Sequence, residues 1–195
     1  MRKIVIVSAK GGTGKTTVTM LLAMAFEGTD IESGVIDLDP QGSASNWIDY
    51  FESEGSPIPQ VEKYRKGGKY DIVWVDTPPV VNAKEAVKKE VKQADRVLVV
   101  TSDSPMDIHA TRLTIEKLLT TPALKKKARL LFTRVKKGTG LSKTVDEVSK
   151  IFPIKRMKPI IHDRNCYREA TTDGWRALTA DAKNEVNAVV KSLHN

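Results

Sequence analysis

Short apolar runs alternate with amphipathic stretches along almost the whole chain. Ile4-Val5-Ile6-Val7 is apolar and β-branched throughout, as a strand buried on both faces of a sheet requires. Thr16 to Phe26 (TTVTMLLAMAF) follows as a helix apolar on most sides, and Gly28 can end it. Ser33 to Asp37 reads as a second short strand, Ser45 to Phe51 as a short helix packed through Trp47, and Glu52 to Pro59 as a polar surface loop. A buried strand then runs from Lys69 to the acid at Asp76, and Ala83, Val87, Val91 and Ala94 mark a helix ending near Gln93. Arg96 to Thr101 and Ala128 to Val135 are two more strands, with an amphipathic helix from Ile108 to Leu119 between them. Leu141, Val145, Val148 and Phe152 mark a further helix, and Lys155 to Pro159 a last short edge strand. Helices over Arg164 to Asp173 and Ala180 to Leu193 close the fold. Strands alternating with helices predict an α/β fold: one doubly wound, mainly parallel sheet over residues 1–195, flanked by helices, with right-handed crossovers.

The first strand feeds a glycine-rich turn, Lys10-Gly11-Gly12-Thr13-Gly14-Lys15-Thr16-Thr17, and the turn opens a helix. Strand, glycine turn and helix together are the setting of a phosphate-binding loop. Glycine lets successive N–H groups converge on one anion, and the helix N-terminus adds partial positive charge at the same spot. Lys15 is then placed to reach the β/γ-phosphates and the Thr16 hydroxyl to ligate Mg²⁺. Two further acids end apolar strands. Asp39, in the turn Asp37-Leu38-Asp39-Pro40-Gln41-Gly42-Ser43, lies where ligands sit in open parallel sheets. Asp76, followed by Thr77-Pro78-Pro79, has the position of a carboxylate that holds Mg²⁺.

Composition narrows the setting. At 195 residues, with 40% hydrophobic and 29% charged residues, the chain has the make-up of one globular domain. No apolar run approaches the roughly 20 residues that span a bilayer, and one cysteine, Cys166, precludes an intramolecular disulfide. A cytoplasmic location is expected. Charge is uneven: residues 1–95 hold 12 Lys/Arg against 14 Asp/Glu, and residues 96–195 hold 20 against 10. A basic C-terminal half suggests a polyanionic partner. His109 and His162 have no neighbours at metal-ligand spacing, and Trp47, Trp74 and Trp175 read as packing residues.

The loop departs from the usual G-x-x-x-x-G-K-[ST]: Ala9 stands at the first glycine, and a second lysine, Lys10, stands beside it. Lys10-Gly-Gly-Thr-Gly-Lys15-Thr16 resembles the deviant Walker A loop of the ParA/MinD superfamily, whose domains have the P-loop NTPase fold. The segment Asp37 to Ser43 resembles that family's second motif. Ala94 to Val100 with Ser104-Pro105-Met106-Asp107, and Ile161 to Ala170 with Gly174, resemble its later segments. The resemblance implies an ATPase using ATP and Mg²⁺, with ATP favoured because no N/T-K-x-D guanine signature is present. It implies Lys10, Lys15 and Asp39 as catalytic groups, Asp39 orienting the attacking water and Lys10 crossing a nucleotide-sandwiched homodimer to the partner's phosphates. Thr16, Asp39 and Asp76 are the implied metal set. The strand Ala128 to Arg134 resembles the one whose exit approaches the adenine, so Thr133 and Arg134 are candidates there, where the family usually has Asn.

The small ParA type without an N-terminal helix-turn-helix is the nearest match. It implies an ATP-state dimer on nonspecific DNA, near the nucleoid, with a ParB-type centromere-binding protein stimulating hydrolysis in DNA segregation. Candidate DNA contacts are Lys125, Lys126, Lys127, Lys136, Lys137, Lys155, Arg156, Lys158, Arg164 and Arg168. Positioning of a non-DNA cargo would use the same motifs. A MinD-like membrane cycle would need a basic amphipathic end, whereas Asp181 to His194 has only two lysines and reads as core-packing. A binding-only switch would leave Asp39 idle.

Overall fold

A computed structural model describes residues 1–54, 61–79, 85–136, 138 and 140–194, the side chains of 141–143 and 194 excepted. Eight parallel strands form the sheet: β1 (Arg2–Val7), β2 (Ser33–Asp37), β3 (Val61–Lys63), β4 (Ile72–Asp76), β5 (Arg96–Thr101), β6 (Ala128–Val135), β7 (Lys155–Arg156) and β8 (Ile161–His162). Their order is β3-β2-β4-β1-β5-β6-β7, with β8 pairing β6 beyond a register shift between Thr133 and Val135. The helices are α1 (Lys15–Met24), α2 (Ser43–Ser53), α3 (Glu85–Gln93), α4 (Pro105–Leu118), α5 (Pro122–Lys127), α6 (Gly140–Ser149), α7 (Cys166–Asp173) and α8 (Ala180–His194).

The period-2 geometry of the strands divides the core into two layers. Ile4, Ile6, Trp74, Leu98, Val100 and Leu131 face one layer, which they share with α1, α2, α7 and α8. Val5, Val7, Val73, Val75, Val97, Val99, Leu130 and Phe132 face the other, under α3, α4, α5 and α6. Both faces of the central strands are therefore covered, which is why their sequences run apolar without alternation.

The doubly wound parallel architecture is the one the pattern predicts, and β2, β5 and β6 keep their predicted bounds. Three short elements go beyond it: β3, α5 and β8. Helix α4 begins three residues earlier than the apolar spacing indicates, with Pro105 in its first turn, where the missing N–H loses no hydrogen bond. The predicted strand Lys155 to Pro159 contracts to two residues. The expected start of a helix at Ala83 and most of the expected loop Glu52 to Pro59 lie outside the described residues, as does the Leu141 side chain.

Candidate nucleotide site

The carboxyl ends of the strands carry the chemistry. β1 lies between β4 and β5, and the chain leaves it toward β2 on one side and later continues from β5 to β6 on the other. That is the switch point at which open α/β sheets bind ligands. A cavity of about 470 Å³ opens there, bordered by the glycine loop, Asp39, Gln41, Thr133, Arg134 and the start of α7. Its size suits a small organic ligand.

The glycine loop keeps its shape through its own polar groups. Thr13 Oγ1 donates to Ser8 Oγ at 2.8 Å, and Ser8 Oγ donates to the Lys10 carbonyl at 3.0 Å. Gly12 and Gly14 adopt φ of 76° and 86°, a region that L-residues disfavour. No atom lies within 4 Å of where a Cβ would stand on Gly11 or Gly12, so this backbone faces open space. Gly14 caps α1, whose first residues Lys15, Thr16 and Thr17 border the cavity. Lys15 is buried; burial pulls its pKa below the ordinary lysine value against the opposing charges of Asp76 and Asp39. A buried ammonium at a helix N-terminus is an anion site awaiting its anion.

Asp76 has no exposed surface. Thr16 Oγ1 donates to its Oδ2 at 2.6 Å and Thr19 Oγ1 to its Oδ1 at 3.2 Å. Burial outweighs these bonds and the charge of Lys15, and raises its pKa to about 6. A buried carboxylate short of compensating charge, bonded to a hydroxyl, fits a hard divalent cation. Thr16 and Asp76 are the groups that would hold Mg²⁺, which when bound would neutralise charge on phosphate oxygens. Asp39 borders the same cavity and its Oδ1 accepts from the Gln41 N–H at 3.1 Å. Its neighbour Asp37 holds the switch turn, accepting from the N–H groups of Asp39 and Ser45 at 3.0 and 2.9 Å.

Two of the expected groups meet the loop from 120 residues away. Thr133 Oγ1 donates to the Thr13 carbonyl at 2.9 Å, and the Arg134 guanidinium donates to the Gly12 carbonyl. Arg134 has φ of 56°, the one positive value outside glycine among the described residues. Lys10, expected to act across a homodimer, has a partner within its own subunit. It does not border the cavity; its Nζ pairs with Asp107 at 2.5 Å, a carboxylate that is itself held by Ser102 Oγ at 2.5 Å.

The wall opposite the loop was not foreseen. His162, Asp163, Arg164, Tyr167, Arg168 and Thr171 border the cavity. Glu185 of α8 organises three of them: it accepts from Arg164 Nη2 at 2.6 Å, from Tyr167 Oη at 2.9 Å, and from the His162 N–H, and pairs with His162 Nδ1 at 2.7 Å. Burial raises the Glu185 carboxyl, but these bonds prevail and leave it below the ordinary glutamate range. The only sequence signal for this wall was the resemblance of Ile161 to Ala170 to a family segment.

The described basic residues among the ten expected to contact DNA are divided among separate places. Arg164 and Arg168 belong to the cavity wall, paired with Glu185 and Asp163. Arg156 pairs with Asp146, and Lys127 Nζ donates to the carbonyls of Lys92 and Ala94 at the end of α3. Opposite charge or an orphan carbonyl has claimed each of these four cations. Lys125, Lys126 and Lys155 cluster elsewhere, Lys136 and Lys158 are exposed, and Lys137 lies outside the described residues.

The sequence profile of the CobQ/CobB/MinD/ParA nucleotide binding domain matches residues 4–175. The maintenance of carboxysome distribution protein A of Gloeobacter kilaueensis is 28% identical over 191 residues, covering 94% of this chain and 87% of that protein. Among solved structures, the MinD cell division protein of Aquifex aeolicus superposes with TM-score 0.79 at 18% identity, covering 100% of this chain and 97% of the other. A plasmid partition protein of Borrelia burgdorferi B31 bound to AMPPNP gives 0.75 at 19% identity, covering 99% and 98%.

Proposed function

The chain belongs to the CobQ/CobB/MinD/ParA nucleotide-binding family of P-loop ATPases, and from that premise we propose that it is an ATP-driven positioning switch of the ParA kind. ATP occupies the cavity with its phosphates on the glycine loop and Lys15. Thr16 and Asp76 hold Mg²⁺, and Asp39 orients the attacking water. Two subunits close over the trapped nucleotides, each supplying Lys10 to the other's phosphates, as an arginine finger acts in trans. The closed pair rests on nonspecific DNA, and a ParB-type or equivalent cargo-bound protein triggers hydrolysis and release. The observation that carries this reading is the placement of Lys10: its half-exposed ammonium stands outside its own cavity, paired with Asp107, and so does not serve the phosphate site of its own subunit.

The cargo follows from the relatives' names and from nothing in the cavity. Those names range over carboxysome distribution, plasmid partition and cell division. A DNA-borne cargo and a protein compartment moved over DNA both accord with the basic C-terminal half. The membrane-cycling reading has less support, because Ala182, Val186, Val189 and Leu193 of α8 are buried in the core and their face is not open to a bilayer.

The test combines light scattering and DNA binding with ATP, ADP or no nucleotide, in wild type and Lys10→Ala. Dimerisation and DNA binding with ATP alone, both lost in Lys10→Ala, is the expected result. A wild type that stays monomeric with ATP, or a variant that dimerises as well as wild type, overturns the proposal.

A further inference from the structure

The amino ends of the strands carry a second feature, at the far pole from the nucleotide cavity. A shallow groove lies between the last turn of α5 and the starts of β6 and β7, lined by Lys125, Lys126, Arg129 and Lys155 over the buried side chains of Phe152 and Ile154. Arg129 and Lys155 are register partners on adjacent strands. Four cations from three elements thus converge on one trough.

Their convergence sets them apart. Some basic side chains of the described surface pair with carboxylates, Lys3 with Glu90, Lys63 with Asp49, Lys150 with Glu147 and Arg156 with Asp146 among them, and the groove instead gathers four cations. Among the described residues, none of the four groove cations has a carboxylate within ion-pair distance. Basic residues in the last turn of a helix do favour its dipole. That accounts for Lys125, Lys126 and Lys127, all in the last turn of α5, and not for Arg129 and Lys155, which lie in strands. Arg129 is held rigidly, its Nη1 donating to the carbonyls of Lys126 and Ala128 at 2.9 Å each. Partial burial, and then the like charge of Arg96 at the start of β5, depress its pKa below the ordinary arginine value. Like charges held together without counter-charge are relieved by an anion.

The groove's form selects the kind of anion. It is open and shallow, and its cations are strung along it, an arrangement that meets successive charges of a chain. Neighbouring strands stand about 4.8 Å apart, so these long side chains can meet successive phosphates.

We propose that this groove holds the sugar-phosphate backbone of DNA, with Lys125, Lys126, Arg129 and Lys155 on the phosphates. The proposal rests on the DNA-bound state in the function proposed above and assigns it a surface. Because the groove lies at the opposite end of the strands from the nucleotide, subunits closing over ATP leave it open on both. Each closed pair therefore carries two such grooves facing opposite ways, which engage separate segments of DNA, so that a pair gains avidity on a dense or folded DNA and not on one short duplex.

Fluorescence anisotropy of a mixed-sequence duplex with the full chain, ATP and Mg²⁺, across a salt series, tests this. The variant combines Lys125→Ala, Lys126→Ala and Lys155→Ala. A charge-matched control combines Lys66→Ala, Lys69→Ala and Lys89→Ala, three exposed lysines elsewhere. Thermal midpoints report that both fold. The groove variant is expected to bind more than about tenfold more weakly at physiological salt, its log–log salt slope shallower by about 2.7 for three lost phosphate contacts. The control should retain nearly the wild-type slope. Wild-type affinity and slope in the groove variant overturn the groove while leaving ATP-dependent DNA binding intact. Absence of DNA binding by wild type in every nucleotide state overturns the groove and the DNA step of the proposed function together. Loss of sedimentation with phosphatidylglycerol vesicles, with DNA binding unchanged, overturns it in favour of a lipid surface.

Discussion

At Asp76 the chain keeps a carboxylate where its charge is poorly compensated. Its pKa stands at about 6 against an ordinary 3.8 because burial disfavours the anion more than Thr16, Thr19 and Lys15 favour it. The sign follows directly. The folded chain holds this proton more tightly than the unfolded one, so the penalty is absent below about pH 4, grows as pH rises through the window up to about 6, and is complete above it. At neutral pH it amounts to about 3 kcal/mol at most. Asp76→Asn removes the charge, keeps an oxygen acceptor for one threonine and presents an N–H donor to the other, whose hydroxyl oxygen accepts it. The nucleotide-free variant should therefore unfold at a higher urea concentration than wild type at about pH 7.5, with the difference vanishing near pH 4. A neutral-pH stability equal to or below that of wild type would count against this account. Stability is given up here for a buried anion of the kind that would hold a cation, a trade found at functional positions generally. Residues of this kind were legible in the sequence, because Lys15, Thr16, Asp39 and Asp76 sit at fixed offsets from strand ends and glycines. The cis partner of Lys10 was not, since Asp107 lies 97 positions away and nothing local announces the pair.

At the scale of elements, the cavity's second wall depends on one helix reaching back to another. β8, α7 and the turn between them present His162, Tyr167 and Arg164 to the cavity, and α8 fixes all three through Glu185. Glu185→Gln leaves Arg164 half-compensated and takes away one acceptor. It should destabilise the fold by about 2 kcal/mol and weaken ATP binding measured by titration at a temperature where both proteins are folded. Loss of stability with unchanged affinity would make the network structural alone. This wall escaped the sequence reading because β8 is two residues long and its partners come from three elements. The short β3 and α5 escaped for the same reason: periodicity needs more residues than they offer. The long apolar strands were plain, since burial on both faces leaves an unbroken signature. Basic residues were the reverse case. Composition located an excess of charge in one half, but only the ion pairs separate Arg156, Arg164 and Arg168, each bound to an acid, from Lys125, Lys126 and Lys155, which are not.

The whole molecule places its two sites at opposite poles of one sheet, and β6 touches both, with Arg129 at its base and Arg134 at its tip. Five residues of extended chain set them about 17 Å apart. Exposed charges interact weakly beyond the Debye length, about 8 Å at physiological ionic strength. A lone subunit therefore has little electrostatic means of telling its base that its tip is loaded. For Lys10→Ala, kept dilute, adding ATP should change DNA affinity by less than about twofold at physiological salt, read by anisotropy. A large nucleotide effect in that monomer would mean that the strand itself carries the message. If the proposed switch holds, the span of β6 makes the molecule a poor solo sensor and a counter of partners: what the track reads is company, and fuel matters to it only as the reason two copies stay together.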